Sequence, residues 1–145
     1  MKNDIITSQN SEQPNDNSTV FFLNKELIAF TAAIINRRKE EFQALIDRAS
    51  GGDLEAQYNL ALSYYMGDDM KQDEKKAVYW FAQAAEQGHI LAQYYLGYCY
   101  ENGIGTQQSD EYSLHWYTEA AEEEFPPAQC AWRALKKSNL IVEIQ

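Results

Sequence analysis

An all-α fold, a short solenoid of helix-turn-helix repeats, is what this chain of 145 residues predicts. Three observations carry that prediction. The sequence matches itself when slid by 36 positions. Apolar residues recur at helical spacing inside each copy. A glycine closes the first helix at the same register both times. Comparing 52–87 with 88–123 gives 12 identities in 36 positions without a gap. Average composition would give only about 2. A fixed period of this length is the signature of stacked supersecondary units.

The elements follow in order. Residues 1–19 are rich in Asn, Ser, Gln, Asp and Glu, and read as a disordered N-terminal tail. Residues 20–51 read as a degenerate helical capping unit, with a helix from Asn24 to Ser50. Phe42, Leu45 and Ala49 sit 36 positions before Val78, Phe81 and Ala85, as the second helix of a worn repeat would. Gly51-Gly52 ends it. The first full repeat is 52–87. Ala56, Leu60, Ala61 and Tyr64 share one face of its first helix. Asp53 is placed to cap that helix and Gly67 to end it in the left-handed conformation. Asp73 can cap the second helix, where Ala77, Trp80, Phe81, Ala84 and Ala85 form a wide apolar stripe that stops at Gly88.

The second repeat, 88–123, follows the same plan, with Gly103 and Trp116 in the matching places. Residues 124–145 hold a partial third repeat and a C-terminal cap. Pro126-Pro127 opens a helix from about Ala128 to Lys137, and Leu140 to Ile144 is a short apolar tail. Ala56, Ala92 and Ala128 mark close helix crossings, because a small side chain lets backbones approach. Trp80 and Trp116 read as large wedges between helices. Trp80→Ala is expected to cost about 3–5 kcal/mol.

Composition narrows the class. The net charge is −10. Between Ala77 and Trp132 there is no Lys or Arg, while Glu86, Glu101, Asp110, Glu111, Glu119 and Glu122 to Glu124 make that window −8. Phosphates would be repelled, so nucleic acid and anionic membrane are not expected as partners. A protein partner with a basic surface would be steered toward it. No apolar run approaches about 18 residues, so no membrane span is expected. The N-terminus shows no secretory h-region. Cys99 and Cys130 make no disulfide framework, and both read as small buried hydrophobes. A cytoplasmic protein is the resulting expectation.

The residues that repeat resemble the Sel-one-like repeat family, relatives of the tetratricopeptide solenoids. The likeness rests on Ala56-x-x-x-Leu60-Ala61-x-x-Tyr64-x-x-Gly67 and its copy from Ala92 to Gly105, followed by Ala77-x-x-Trp80-Phe81-x-x-Ala84-Ala85-x-x-Gly88. It covers about 52–137. It implies a right-handed α-α superhelix whose first helices line a concave face. By that resemblance Leu62, Tyr65, Tyr98 and Glu101 point into the groove. Tyr58 and Tyr94 join them as candidate partner-binding residues, or else fill space between repeats. Departures exist: the usual small Gly is Ala61 in the first unit and Arg133 in the third, and Trp132 replaces Leu.

No catalytic or metal-binding constellation is present in the sequence, and no cofactor is expected. Gly103-Ile104-Gly105 has no strand before it and reads as a repeat loop. His89 and His115 have no Cys or His at ligand spacing. The expected function is therefore protein–protein interaction through the concave face. Two alternatives stand beside it: an immunity-type inhibitor of a cationic toxin, and a self-assembling homodimer that uses Trp132 or Leu140 to Ile144.

Overall fold

The computed structural model describes residues 17–67 and 71–144. Six helices follow one another: α1 (Asn17–Ser50), α2 (Leu54–Met66), α3 (Glu74–Glu86), α4 (Ile90–Asn102), α5 (Asp110–Glu122) and α6 (Pro126–Ile144). No strand occurs among the described residues. Contacts run in chain sequence, α2 with α3, α3 with α4, α4 with α5 and α5 with α6. That nearest-neighbour pattern is what a solenoid requires.

The chain divides into two compact units, Met1–Lys39 and Glu40–Gln145. Every residue of α1 up to Glu41 is exposed. The last turns of α1 belong to the second unit, where Phe42, Leu45, Ile46 and Ala49 pack on the core.

Local chemistry explains the helix ends. Asp53 is extended and its carboxylate accepts the Ala56 N–H at 3.0 Å. That bond, and the Arg48 guanidinium at 2.6 Å, hold the Asp53 carboxyl below the usual carboxylate range. The cap is therefore present above the ordinary carboxyl pKa and is lost as pH falls through the lowered one. Asp73 and Ser109, 36 apart, cap α3 and α5 in the same way. Gly67 and Gly103 take φ of 73° and 66° at the C-caps of α2 and α4, a conformation that costs any residue with a Cβ.

The core is a line of alanines between aromatic plugs. Ala56, Ala77, Ala84, Ala92, Ala120 and Ala128 are fully buried. The plugs are Phe81 and Tyr117, also fully buried, and not the tryptophans. Trp80 and Trp116 are half-buried, so the expected wedge role falls one residue later on α3 and α5. The cost first assigned to Trp80→Ala belongs to Phe81. In the second repeat the approach is closer still. A Cβ at Gly97 would lie 2.7 Å from the Tyr117 ring, which is why the small residue that is Ala61 in the first repeat is Gly here.

One polar bond recurs at the joints. Gln57 Nε2 donates to the Ala49 carbonyl at 3.1 Å, Gln93 to Ala85 at 3.3 Å, and Gln129 to Ala121 at 3.3 Å. Each bond ties the start of one helix pair to the end of the preceding helix. Gln57 and Gln93 are buried, and a buried amide needs partners.

The two copies differ at the amide oxygen. Gln57 Oε1 accepts from Gln87 Nε2 at 2.6 Å. The residue 36 beyond Gln87 is Glu123, which has no N–H in its side chain, and Gln93 Oε1 finds no partner among the described residues. Glu123→Gln should supply the missing donor. It should also relieve the repulsion among Glu122, Glu123 and Glu124. A gain of about 0.5–1.5 kcal/mol is expected, read as a higher urea midpoint at an unchanged slope. No gain would mean that Gln93 is satisfied by some other route.

Four further expectations need correction. Helix α1 begins at Asn17, so residues 17–19 of the expected tail are helical; residues 1–16 lie outside the described residues. The apolar stretch from Leu140 continues α6 as helix, because nothing after Lys137 breaks it. Cys99 is buried as expected, but Cys130 is exposed, on the outer side of α6 from Ala128. Counting uninterrupted apolar runs also undervalued α1. It is long and apolar enough, by length and composition, to cross a membrane, and none of its 18-residue window is buried.

Candidate protein-binding surface

The six residues singled out for partner binding occupy three repeat-equivalent positions. Tyr58 and Tyr94 match, as do Leu62 and Tyr98, and Tyr65 and Glu101. Spaced i, i+4 and i+7, they lie on one face of α2 and of α4. The first helix of the next pair continues the stripe as Cys130, Ala134 and Lys137, all exposed on α6.

The first pair does structural work. Tyr58 stacks on His89 at 4.3 Å and leans on Phe81 at 6.2 Å. Tyr94 repeats this with Phe125 at 5.6 Å and Tyr117 at 5.7 Å. Each tyrosine therefore bridges the plug of its own repeat and the residue that opens the next. Burial pushes both phenols above their usual pKa.

The third pair shows two solutions to one packing problem. Tyr65 meets the Phe81 ring edge-on at 6.2 Å. At the matching place Glu101 Oε2 accepts a 2.6 Å hydrogen bond from the Tyr117 hydroxyl. An apolar plug takes an aromatic neighbour, and a hydroxyl-bearing plug takes a carboxylate. Burial first, and then Glu101, push the Tyr117 phenol far up, so it donates throughout the ordinary pH range.

Of the six, only Tyr98, in the middle pair, is exposed. Tyr98 is 37% exposed, and Leu62 is half-buried against the core. Tyr95 lies flat on Phe81 at 5.3 Å and touches Tyr58, Tyr65 and Tyr94. It completes one continuous aromatic cluster across α2, α3 and α4. Tyr95 is not among the residues the sequence singles out; its place one residue after Tyr94 and three before Tyr98 was the available signal.

His89 was also missed. It occupies the place of Asp53 and caps α4, its Nδ1 accepting the Ala92 N–H at 3.1 Å, while Nε2 lies 3.5 Å from Glu55. The Cys99 thiol is buried and pushed up to about 12, which keeps it protonated. No group of three or more His, Cys, Asp or Glu fit for a metal occurs among the described residues. A cleft of about 1010 Å³ lies away from the tyrosine stripe, between the start of α3 and the α4–α5 loop, and is lined by Lys71, Lys75, Lys76, Gly105 and Thr106.

This joint, repeated with a period of 36, has a recognised counterpart. Among known families, the Sel1 repeat matches at residues 54–89 and 90–125. These two units are Sel1 repeats. Solved Sel1-repeat structures agree. The chain is 37% identical to a Sel1 repeat protein from Oxalobacter formigenes over 63% of its own length, with a TM-score of 0.61. It is 34% identical, over 68% of its length and with a TM-score of 0.64, to a protective antigen present in uropathogenic Escherichia coli strains that displays an SLR fold. The chain spans 37% and 21% of those two chains. No curated protein matches it. Sel1 repeat proteins generally mediate protein–protein interaction and are typically non-catalytic modules.

Proposed function

We propose that the chain binds a protein with a basic surface through the face carried by the first helices of its Sel1 repeats. The observation that supports this best is the stripe Leu62, Tyr65, Tyr98 and Glu101, whose α4 half, Tyr98 and Glu101, falls in the 56-residue window from Ala77 to Trp132 that holds acids and no Lys or Arg. Tyrosine gives large contact area at small entropy cost, and acidic neighbours favour a cationic partner. The same charge disfavours nucleic acid and anionic lipid at this surface. Inhibition of a cationic toxin is one form the interaction could take. The reading includes a cytoplasmic setting, no catalysis and no cofactor.

Testing it requires changes that leave the core alone. Tyr98→Ala removes the exposed ring. Glu101→Gln removes a charge yet keeps an acceptor for the Tyr117 hydroxyl. The double variant should lose at least about tenfold in affinity for a purified partner at unchanged helicity, with the wild-type affinity falling as salt rises. Equal binding by the double variant, or salt-independent binding, would reject the acidic-groove reading.

Self-association has one observation in its favour. Leu140, Ile141 and Val142 on α6 are 54%, 52% and 71% exposed. Light scattering over a hundredfold range of concentration, on the wild type and on Ile141→Glu, distinguishes the two readings.

A further inference from the structure

The N-terminal part of α1 carries a second surface of the opposite character. Val20, Phe21, Phe22, Leu23, Leu27, Ile28, Phe30, Ile34 and Ile35 are each at least 40% exposed. No residue from Asn17 to Glu41 is buried among the described residues. A monomer rarely presents so much contiguous apolar side chain unless something covers it.

The arrangement around the helix says what does. At 3.6 residues per turn, Val20, Phe21, Leu23, Leu27, Ile28, Phe30, Ile34 and Ile35 spread over roughly half the circumference, with Asn24 and with Thr31, whose hydroxyl bonds back to the Leu27 and Ile28 carbonyls, among them. Lys25, Glu26, Ala29, Ala32, Ala33 and Asn36 occupy the other half, with Phe22 as the one large apolar residue among them. A two-stranded coiled coil would bury a narrower seam and leave Phe21, Ile28 and Ile35 wet. A spanning helix would place Lys25 and Glu26 near the middle of the hydrocarbon. A helix lying in the plane of a lipid surface buries the wide apolar half and keeps both charges in water.

Charge identifies the surface further. Arg37-Arg38-Lys39 follows the apolar stretch after Asn36, ahead of Glu40-Glu41. With Lys25 and Glu26, residues 17–39 carry +3 (four cations and one acid), whereas 40–145 carry −11 (seven cations and eighteen acids). Most of the acidity that disfavours lipid phosphates thus lies beyond Lys39, while residues 1–16 carry −2 (one cation and three acids). A basic cluster at the end of an amphipathic helix is attracted to anionic headgroups.

We infer that α1 is an in-plane membrane anchor, with residues 20–35 seated at the headgroup boundary of an anionic leaflet and Arg37, Arg38 and Lys39 on its phosphates. This does not depend on the repeat groove, since no residue is shared.

The test is flotation of the full chain with phosphatidylcholine vesicles, with and without about 30% phosphatidylglycerol. The expected result is at least tenfold more protein floating with the anionic vesicles, reduced by added salt. Leu27→Glu with Phe30→Glu should abolish flotation and leave the thermal midpoint of the repeats unchanged. So should Arg37→Glu, Arg38→Glu and Lys39→Glu together. Three results would overturn the inference. One is failure of the wild type to float, whether or not light scattering finds an oligomer that the Leu27→Glu, Phe30→Glu variant dissolves. Another is native membrane protein that resists alkaline carbonate extraction, which marks a spanning helix. The third is a mature native chain that begins after Lys39, which marks a removed leader.

Discussion

Phe81→Ala is expected to cost about 3–5 kcal/mol, more than any other side-chain truncation in the first repeat. Phe81 is fully buried and is the shared neighbour of Tyr58, Tyr65 and Tyr95, with the Tyr95 ring parallel to it at 5.3 Å. Removing it leaves three tyrosines, each fixed by other contacts, around an empty site. They cannot close over it without opening the α2–α3 or the α3–α4 packing. A domain stabilised by about 5–15 kcal/mol would lose a large share of its margin. Trp80→Ala is the control. The Trp80 side chain is larger but half-buried, so it should lower the urea midpoint clearly less. A larger loss at Trp80 would show that the plug has been misassigned.

Gly105→Ala should be nearly as damaging for an unrelated reason. Its φ of +66° already disfavours a Cβ, and an added Cβ would lie 2.2 Å from the Glu74 carbonyl oxygen. The obstacle is backbone at the N-terminus of α3, not the end of a flexible side chain. The α4–α5 loop must withdraw or α3 must shift. Conformation and overpacking together should cost about 2–4 kcal/mol. Gly103→Ala separates the two causes. Gly103 has the same φ, but its nearest obstacle is the Gln108 Cβ at 3.3 Å. It should lose only the conformational part, about 1–2 kcal/mol. Equal losses at the two positions would show that the loop does not press on α3.

Much of the fold was legible in the residues, because its causes are local and repeated. The caps Asp53 and Asp73 and the left-handed Gly67 and Gly103 stand where helix chemistry demands them. The invariant spacing of Ala56, Ala92 and Ala128 reports a close crossing directly. What the sequence concealed are choices among like residues. Trp80 and Phe81 are adjacent and both apolar, and spacing alone does not say which is rotated fully inward. His89 as a cap was hidden because imidazole is a rarer acceptor there than carboxylate. Only its register with Asp53 could have shown it. The α1 surface was hidden because Asn24 to Glu26 and Thr31 cut the apolar residues into short runs, although Lys25 and Glu26 fall on the opposite side of the helix.

The candidate surface was legible as a set of positions and not as a set of roles. Tyr58, Tyr65, Tyr94 and Tyr98 look alike in sequence. The structure makes Tyr58 and Tyr94 bridges between neighbouring units, gives Tyr65 to the Phe81 plug, and leaves Tyr98 the most open. Glu101 looks like any acid on a helix, and its bond to Tyr117 appears only when α4 and α5 are set side by side.

The glutamine bond at each joint bears on how such a chain grows. The donor always comes from the incoming segment, and the acceptor is a main-chain carbonyl that any predecessor offers. Lengthening by in-frame duplication therefore requires no matched change on the older side of the seam. A gene of this kind can gain or shed whole modules in single events, each product arriving with its connector already made.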